Sequence, residues 1–330
     1  MTITKIDVAK LAGVSHMTVT RVLHDSPVVQ AATRKKVLAA CRRLKYRPNL
    51  IARSLRTRKS YAFGILVPTL MHSYYARMIS AIETQAGKRG YHVLVAQIGE
   101  AELQTNQIAA LFGQRVEGLF ISTRHCSKAV YNFLLSGGIP VIFLDIPGPK
   151  NTVFIGTDDY HGAFEAVNHL IGLGHERIVH LAGRPDVYTA QQRMLGYKAA
   201  LKAHGIAYHH GDIVFTNYQA DGGFRAAEQI VKSPGKYTAI FCANDYIAMG
   251  LLSCAYLHGI RVPQQLSVIG FTGDEAGQYS VPPLTTMVQQ TERVGTQAVE
   301  SMLALMENRP TAFQILLKPE LLIRQSTVKN

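Results

Sequence analysis

From residue 62 to residue 271 the chain repeats one pattern, a short apolar run followed by a stretch of helical character. The runs are AFGILV (62–67), YHVLVA (91–96), GLFIS (118–122), PVIFLD (140–145), VFIG (153–156), RIVHLA (177–182), AIFCA (239–243) and LSVIGF (266–271). A strand with one face in water alternates apolar and polar residues. Most of these runs do not alternate, as expected for parallel strands covered by helices on both faces. The pattern predicts a doubly wound α/β fold. A length of 330 residues leaves room for two or three domains.

Several chemistries are absent from this framework. No GxGxxG follows the first strand, no GxxxxGK[ST] phosphate loop occurs, and no GxSxG nucleophile elbow occurs. No nucleophile–base pair is visible, so no enzyme and no cofactor are expected. No metal site is expected either, because the adjacent His209 and His210 point apart. The four cysteines, Cys41, Cys126, Cys242 and Cys254, form no CxxC pair and read as reduced thiols of a cytoplasmic protein. No apolar run is long enough to span a membrane. The opening MTITKIDVAKLAG lacks the apolar core and cleavage site of a secretory signal.

Charge divides the chain more sharply than hydrophobicity does. Residues 1–60 hold fourteen of the 35 Lys and Arg residues but two of the 22 Asp and Glu residues, while the remainder is close to neutral. Such asymmetry is the footprint of a polyanion-binding segment. Ile6, Val8, Ala9 and Leu11 mark a first helix, Gly13 a tight turn, and Ser15 the N-cap of a second helix over His16 to His24. On a helical wheel, Val19, Val22 and Leu23 form an inward arc. His16, Met17, Thr20 and Arg21 form a polar one. That division suits a recognition helix in a DNA major groove, where Arg21 can bond two guanine acceptors, His16 can donate or accept, and Met17 can touch a thymine methyl. A third helix is expected over Thr33 to Leu44, with Val37, Leu38, Cys41 and Leu44 buried and Arg34, Lys35, Lys36, Arg42 and Arg43 available to phosphates. Pro48 biases Arg47 towards extended backbone. Leu50–Arg56 can form only a helix too short to persist alone.

The strings DVAKLAGVSHMTVTRVL, TRKKVLAACRRLKYRPN and LIARSL strongly resemble the lactose/galactose repressor family of bacterial transcription regulators. The resemblance implies an all-α helix-turn-helix head at 1–47 and a hinge helix and linker at 48–60. In a dimer two such hinges pair in the minor groove, and Leu55 wedges into the central base step. The DNA-contacting residues implied are Ser15, His16, Met17, Thr18, Thr20, Arg21, His24, Arg34, Tyr46, Asn49, Ala52, Arg53 and Leu55. The chain departs from the family at Gln30, where Ser usually caps the third helix and Thr33 is a substitute, and at His24, where Asn is usual.

The resemblance continues through IPVIFLD, LIGLGHERIVHLAG, QQRMLGYKAAL, FCANDYIAMG, LSVIGF and PPLTT. It implies a core of periplasmic-binding-protein type over 61–330, whose two subdomains face each other across a cleft. One subdomain would take 61–157 with 291–317, the other 158–290 with 318–330. Open α/β sheets bind ligands beyond the carboxyl ends of their strands. The effector-binding residues expected there are Ser73, Tyr74, Tyr75, Ser122, Asp145, Arg193, Tyr218, Asn244, Thr272, Asp274 and Gln289. Asp158 and Asp159 match a family position that starts a helix. After the VIGF strand, sugar-binding members usually carry Asp where Thr272 stands. GFTGDEAGQ looks most like the gluconate-repressor branch, so an anionic sugar acid becomes less unfavourable beside Arg193, with Asp274 as the nearest replacement acid. The reading is therefore a homodimeric repressor that binds operator DNA and a sugar or sugar acid. A transporter's solute-binding protein would share the core but lack the basic head. A sugar- or nucleoside-modifying enzyme on the same scaffold would turn its ligand over.

Overall fold

The structure, a computed structural model of the chain, describes residues 3–23, 26–46, 59–99, 103–123, 126–232 and 235–330. It divides into two compact units, residues 1–60 and 61–330.

The first unit contains helices α1 (Lys5–Ala12), α2 (His16–Leu23) and α3 (Ala31–Arg43). Thr4 starts α1 by donating from its backbone N and its Oγ1 to Asp7 Oδ2, at 2.8 and 2.7 Å. Gly13, at φ 65°, ends it in the left-handed region that glycine enters without a Cβ penalty. Ser15 caps α2, its Oγ accepting from Thr18 N at 3.1 Å. The third helix starts at Ala31, two residues before the expected Thr33. The preceding Gln30 makes no side-chain cap bond, and Thr33 lies inside the helix. Val8, Ala9, Val19, Val22, Val37, Ala40 and Cys41 form the core of this unit. Leu38, expected in the buried stripe, is 42% exposed because the helix packs through Val37, Ala40 and Cys41 instead.

The second unit begins with β1 (Ala62–Val67), α4 (Ser73–Lys88), β2 (His92–Gln97), α5 (Thr105–Gly113), β3 (Gly118–Ile121), α6 (Lys128–Ser136), β4 (Val141–Leu144) and β5 (Val153–Thr157). It continues through α7 (Asp159–Gly172), β6 (Ile178–Ala182), α8 (Tyr188–Ala203), β7 (Ile213–Phe215), α9 (Ala220–Val231), β8 (Ala239–Cys242), α10 (Asp245–Leu257), β9 (Ser267–Thr272) and β10 (Thr285–Val288). It then adds α11 (Thr291–Met306), β11 (Gln314–Leu317) and β12 (Glu320–Leu322). Two six-stranded sheets result. Their orders are β2-β1-β3-β4-β5-β11 and β7-β6-β8-β9-β10-β12. Among the described residues only β12 runs antiparallel to its neighbour, pairing Met287 with Leu321. Each sheet carries an apolar cluster on each face. The core is thus two doubly wound α/β lobes. Between them the chain crosses after β5, after β10 and between β11 and β12. In each lobe the strand order reverses beside the first strand, at β1/β3 and at β6/β8. That reversal opens a crevice at the carboxyl ends of the strands.

Some helix pairs approach closer than a side chain permits. A Cβ at Gly250 of α10 would overlap the Ala220 carbonyl oxygen of α9, and one at Gly223 of α9 would overlap the Ile247 carbonyl of α10. Neither obstacle is a flexible side chain, so the helices would have to separate. Gly250→Ala is expected to destabilise the chain by roughly 1–3 kcal/mol, the usual cost of overpacking a core. Denaturant unfolding of the full chain measures this, and an unchanged midpoint would show that the helices can part freely.

Candidate functional site

Two regions carry the polar residues that the sequence singled out. On the head, Ser15, His16, Met17 and Arg21 are exposed, Met17 at 53%. Thr18 lies beside them, its Oγ1 2.9 Å from Ser15 Oγ. Thr20 differs from the wheel expectation. It is only 9% exposed, and its Oγ1 has no hydrogen-bond partner among the described residues. An eight-residue helix held by two neighbours is covered over more than a narrow stripe, and Thr20 falls beside Val19 on the covered side. Arg34 is partly buried and donates from Nη2 to Ser26 O at 2.9 Å, so it ties down the chain ahead of α3. Tyr46 is partly buried against the head's core. Lys35, Lys36, Arg42 and Arg43 are exposed on α3. His24, Asn49, Ala52, Arg53 and Leu55 lie outside the described residues.

In the core, one cavity lies between the two lobes at the carboxyl ends of the strands. Tyr74, Tyr75, Ser122, Asp145, Arg193, Tyr218, Asn244, Thr272 and Gln289 line it. Beyond the residues expected from the sequence, Pro68, Thr69, His72, Thr123, Ile146, Val187, Tyr188 and Thr189 also line it. Most of these stand immediately after a strand or before a helix. Asp145 and Tyr218 follow strands in left-handed backbone, φ 59° and 65°. Gly183 lets the Tyr218 ring lie directly on the backbone, where a Cβ would collide with it. Ser73 and Asp274 do not line the cavity. They bond each other across the lobes, Ser73 Oγ donating to Asp274 Oδ2 at 2.5 Å. Arg77 reinforces that bridge with bonds to the carbonyls of Thr272, at 3.0 Å, and Gly273, at 2.6 Å. Gln289 Nε2 donates to Thr157 Oγ1 at 2.9 Å, joining two of the crossing segments.

The electrostatics of the cavity differ from the sequence expectation. Arg193, 5% exposed, is engaged within the protein. Its Nε and Nη2 each lie 2.8 Å from Asp159 Oδ1, and its Nη1 donates to Ala243 O. Asp158 does start α7, accepting from His161 N at 3.2 Å, but Asp159 beside it turns inward to form this ion pair. Burial pushes the Asp159 carboxyl up, and the adjacent guanidinium opposes that push. The adjacent pair of carboxylates was the available sequence signal, and the helix-start reading accounted for only the first. Asn244 is likewise engaged, accepting from Ile247 N at 2.8 Å as the cap of α10 and donating to Tyr218 O at 2.9 Å. Asp145 accepts from Tyr74 Oη at 2.6 Å through Oδ1. Its Oδ2 is shielded from solvent and has no hydrogen-bond partner among the described residues. Burial, reinforced by the Asp159 charge, pushes the Asp145 carboxyl up to about 7, against the lowering pull of the Tyr74 bond and Arg193.

Among the described residues no cluster of His, Cys, Asp or Glu could hold a metal. No described helix is long and apolar enough to cross a membrane.

Comparison with known proteins fits both regions. Residues 4–49 match the family described as bacterial regulatory proteins, lacI family, and residues 167–327 match a periplasmic binding protein-like domain. The chain is 32% identical over 325 residues to the HTH-type transcriptional repressor PurR of Photobacterium profundum, covering 97% of each. Among solved structures it is similar to the Lac repressor dimer bound to operator and the anti-inducer ONPF. That match has a TM-score of 0.87 and 29% identity over 99% of this chain and 100% of the other. It is also similar to the transcriptional regulator CelR in complex with cellobiose, with a TM-score of 0.74 and 26% identity over 98% and 99%.

The Arg193–Asp159 pair yields a direct test of the cavity's architecture. Asp159→Ala leaves a guanidinium buried without its counter-ion and is expected to cost about 3–5 kcal/mol of stability. Chemical unfolding of the full chain reads the loss. A wild-type unfolding curve would mean that the pair does not hold the lobe.

Proposed function

The chain belongs to the lacI family of bacterial regulatory proteins, and from that premise we propose that it is a homodimeric transcriptional repressor whose grip on operator DNA is set by a small effector between its core lobes. The observation that carries this reading is the union, in one chain, of a basic helix-turn-helix unit with a two-lobed core whose cavity is enclosed by both lobes. Binding rather than turnover is the expected chemistry. Arg193 and Asn244 are engaged in holding the fold, and the Tyr74 phenol, whose hydroxyl bonds the Asp145 carboxyl, is held in its protonated form by burial.

On DNA, the exposed face of α2 enters the major groove. Arg21, His16 and Met17 read base edges, while Ser15 and Thr18 meet the backbone. Lys35, Lys36, Arg42 and Arg43 supply phosphate contacts, with the remaining surfaces of Arg34, Tyr46 and Thr20 at the margin. His24 is assigned to the end of the recognition helix, and Asn49, Ala52, Arg53 and Leu55 to the hinge and its approach, on the family pattern, with Leu55 as the minor-groove wedge. The head is placed at 1–47 and the hinge at 48–60. The lobes are placed at 61–157 with 291–317, and at 158–290 with 318–330. The effector is a small polyhydroxylated compound, a sugar or sugar acid. Supporting this, the cavity offers hydroxyl and carboxylate partners beside the rings of Tyr74, Tyr75 and Tyr218. The comparison protein CelR holds cellobiose.

Two outcomes are expected on a palindromic operator. Binding should weaken by about 10³–10⁵ between 50 and 200 mM salt, as for a protein making 6–10 phosphate contacts. Arg21→Ala should lose about 1–3 kcal/mol of discrimination at one base pair per half-site, while Arg43→Ala should weaken all sequences alike. Fluorescence anisotropy on specific and random duplexes measures both. Equal loss on the two duplexes for Arg21→Ala would overturn the placement of the recognition helix. A thermal-shift screen of sugars and sugar acids tests the effector, since a ligand of the native state raises the melting temperature.

A further inference from the structure

We infer that the start of α4 is a clasp that gates the cavity. His72, Ser73 and Arg77 hold the lobes together, and a ligand enters or leaves only when their bonds break. Arg77 is thus a positioning residue, acting on the cavity through a turn of the other lobe. Ser73 and Arg77 do not line the cavity themselves. The inference concerns access to the site assigned above to the effector and rests on that assignment.

Position is the first support. The chain crosses between the lobes beside β5 and β11 in one sheet and beside β10 and β12 in the other. Each pair lies at one edge of its sheet, whereas α4 follows β1, next to the opposite edge. From there α4 reaches the turns after β7, β8 and β9. His72 accepts from Gln219 Nε2 at 3.2 Å and meets the Tyr246 ring edge-on, with 5.0 Å between centroids. Ser73 Oγ donates to Asp274 Oδ2, and Arg77 donates to the Thr272 and Gly273 carbonyls. The lobes are therefore joined at the crossings by the chain itself and at α4 by noncovalent contacts alone. Both junctions border the cavity, through Gln289 and His72. Parting the lobes cannot break the chain, so it must break the clasp.

Rigidity is the second. α4 is anchored in the first lobe by Met78, Ile82 and Ala86, all fully buried. The turn it grips is equally fixed. Gly273 holds φ at 72°, and a Cβ there would lie 2.9 Å from Val288 Cα. Asp274 N donates to Asp245 Oδ2 at 2.6 Å, and Asp245 Oδ1 accepts from Thr286 Oγ1 at 2.6 Å. A turn braced in this way presents two successive carbonyls, and a planar guanidinium can take both at once. Hydrogen bonds from a charged donor are about twice as strong as neutral ones. Neither half can bend to keep these bonds while the lobes separate. Because the protein makes them with itself, they oppose entry and release alike. The clasp therefore sets how fast a ligand exchanges more than how tightly it binds.

Opening can be read without a ligand. Ser122 lines the cavity and is 2% exposed. In full-length protein carrying Ser122→Cys, labelling of position 122 by methyl methanethiosulfonate is followed by mass spectrometry. Cys242, fully buried in β8, is the internal control for unfolding. Adding Arg77→Met is expected to speed labelling at position 122 by about tenfold or more, the loss of bonds to a charged group, and to leave Cys242 unchanged. Ser73→Ala removes one bond with less risk to folding and should act in the same direction. Unchanged labelling at position 122 in these variants overturns the inference, as does an equal rise at Cys242. Labelling at position 122 with the clasp intact that is as fast as in urea-unfolded chain also overturns it, since the cavity would then be open without the bonds breaking. Each of these results leaves the effector reading standing. Silence of every compound in the thermal-shift screen overturns the carbohydrate reading instead, and the labelling result is independent of it.

Discussion

The Arg193 guanidinium sits where water cannot solvate it, and the wall of the second lobe is arranged around that cost. A buried cation without a partner would cost several kcal/mol, so its neighbours are constrained to supply one. Asp159 does so from the start of α7, the Ala243 carbonyl from the end of β8, and the Phe271 ring lies 4.0 Å from the guanidinium carbon. Three elements are thereby fixed against α8. Their geometry carries to the next residue, because Asn244 follows Ala243, caps α10 and holds the Tyr218 carbonyl. The positions of Asn244 and Tyr218 in the cavity therefore follow from an ion pair buried in its wall.

The opposite wall depends on one turn of helix. The start of α4 supplies Tyr74 and Tyr75 to the cavity, and the same turn carries the bonds that reach the other lobe. Ser73 bonds Asp274, Arg77 bonds the carbonyls of Thr272 and Gly273, and His72 accepts from Gln219 at 3.2 Å. Thr272 belongs to both sets, lining the cavity while its carbonyl is held by Arg77. The cavity lining and the bonds that join the lobes thus share one helical turn. Tyr74 and Ser73 are adjacent on it, one side chain lining the cavity and the other joining the lobes.

Each of the eight apolar runs became a strand, and seven were legible because burial on both faces leaves a continuous signature, whereas β2, at a sheet edge with no residue fully buried, shows only its apolar composition. The strands outside these runs were β7, β10, β11 and β12. β7 has three residues at a sheet edge with Phe215 51% exposed. β10 is built largely from Thr285 and Thr286, whose hydroxyls bond the C-terminal segment and Asp245. β11 and β12 lie at sheet edges and are mostly exposed or partly buried. Of the cavity, the residues at strand ends could be read from position alone. The state of Arg193 could not, because Asp159 stands 34 residues away and its inward turn depends on how α7 packs against α8. The Ser73–Asp274 bond is hidden from sequence for the same reason. Sequence places both residues at the cleft, but only the closed arrangement shows that they satisfy each other.

The route of the chain through the two lobes also bears on how the protein is made. Lobe one has its first five strands by Thr157, yet its sixth strand is Gln314–Leu317, and α11 fills its core with Val294, Ala298 and Met302. Lobe two awaits Glu320–Leu322, and Ser326 and Val328 must bond Val268 and Ser267 before its sheet is sealed. Translation delivers sequence from the N-terminus at about 5–20 residues per second, and units fold as they emerge. The three helices of the head, within residues 5–43, have all their core partners long before either lobe does. A ribosome-bound chain therefore carries a finished basic head while its core is still two open sheets with bare edges. During that interval the unpaired edges invite wrong pairing. The nascent chain thus passes through a stage in which its charge is fully displayed and its sheets are not yet sealed, closed only when the late strands arrive.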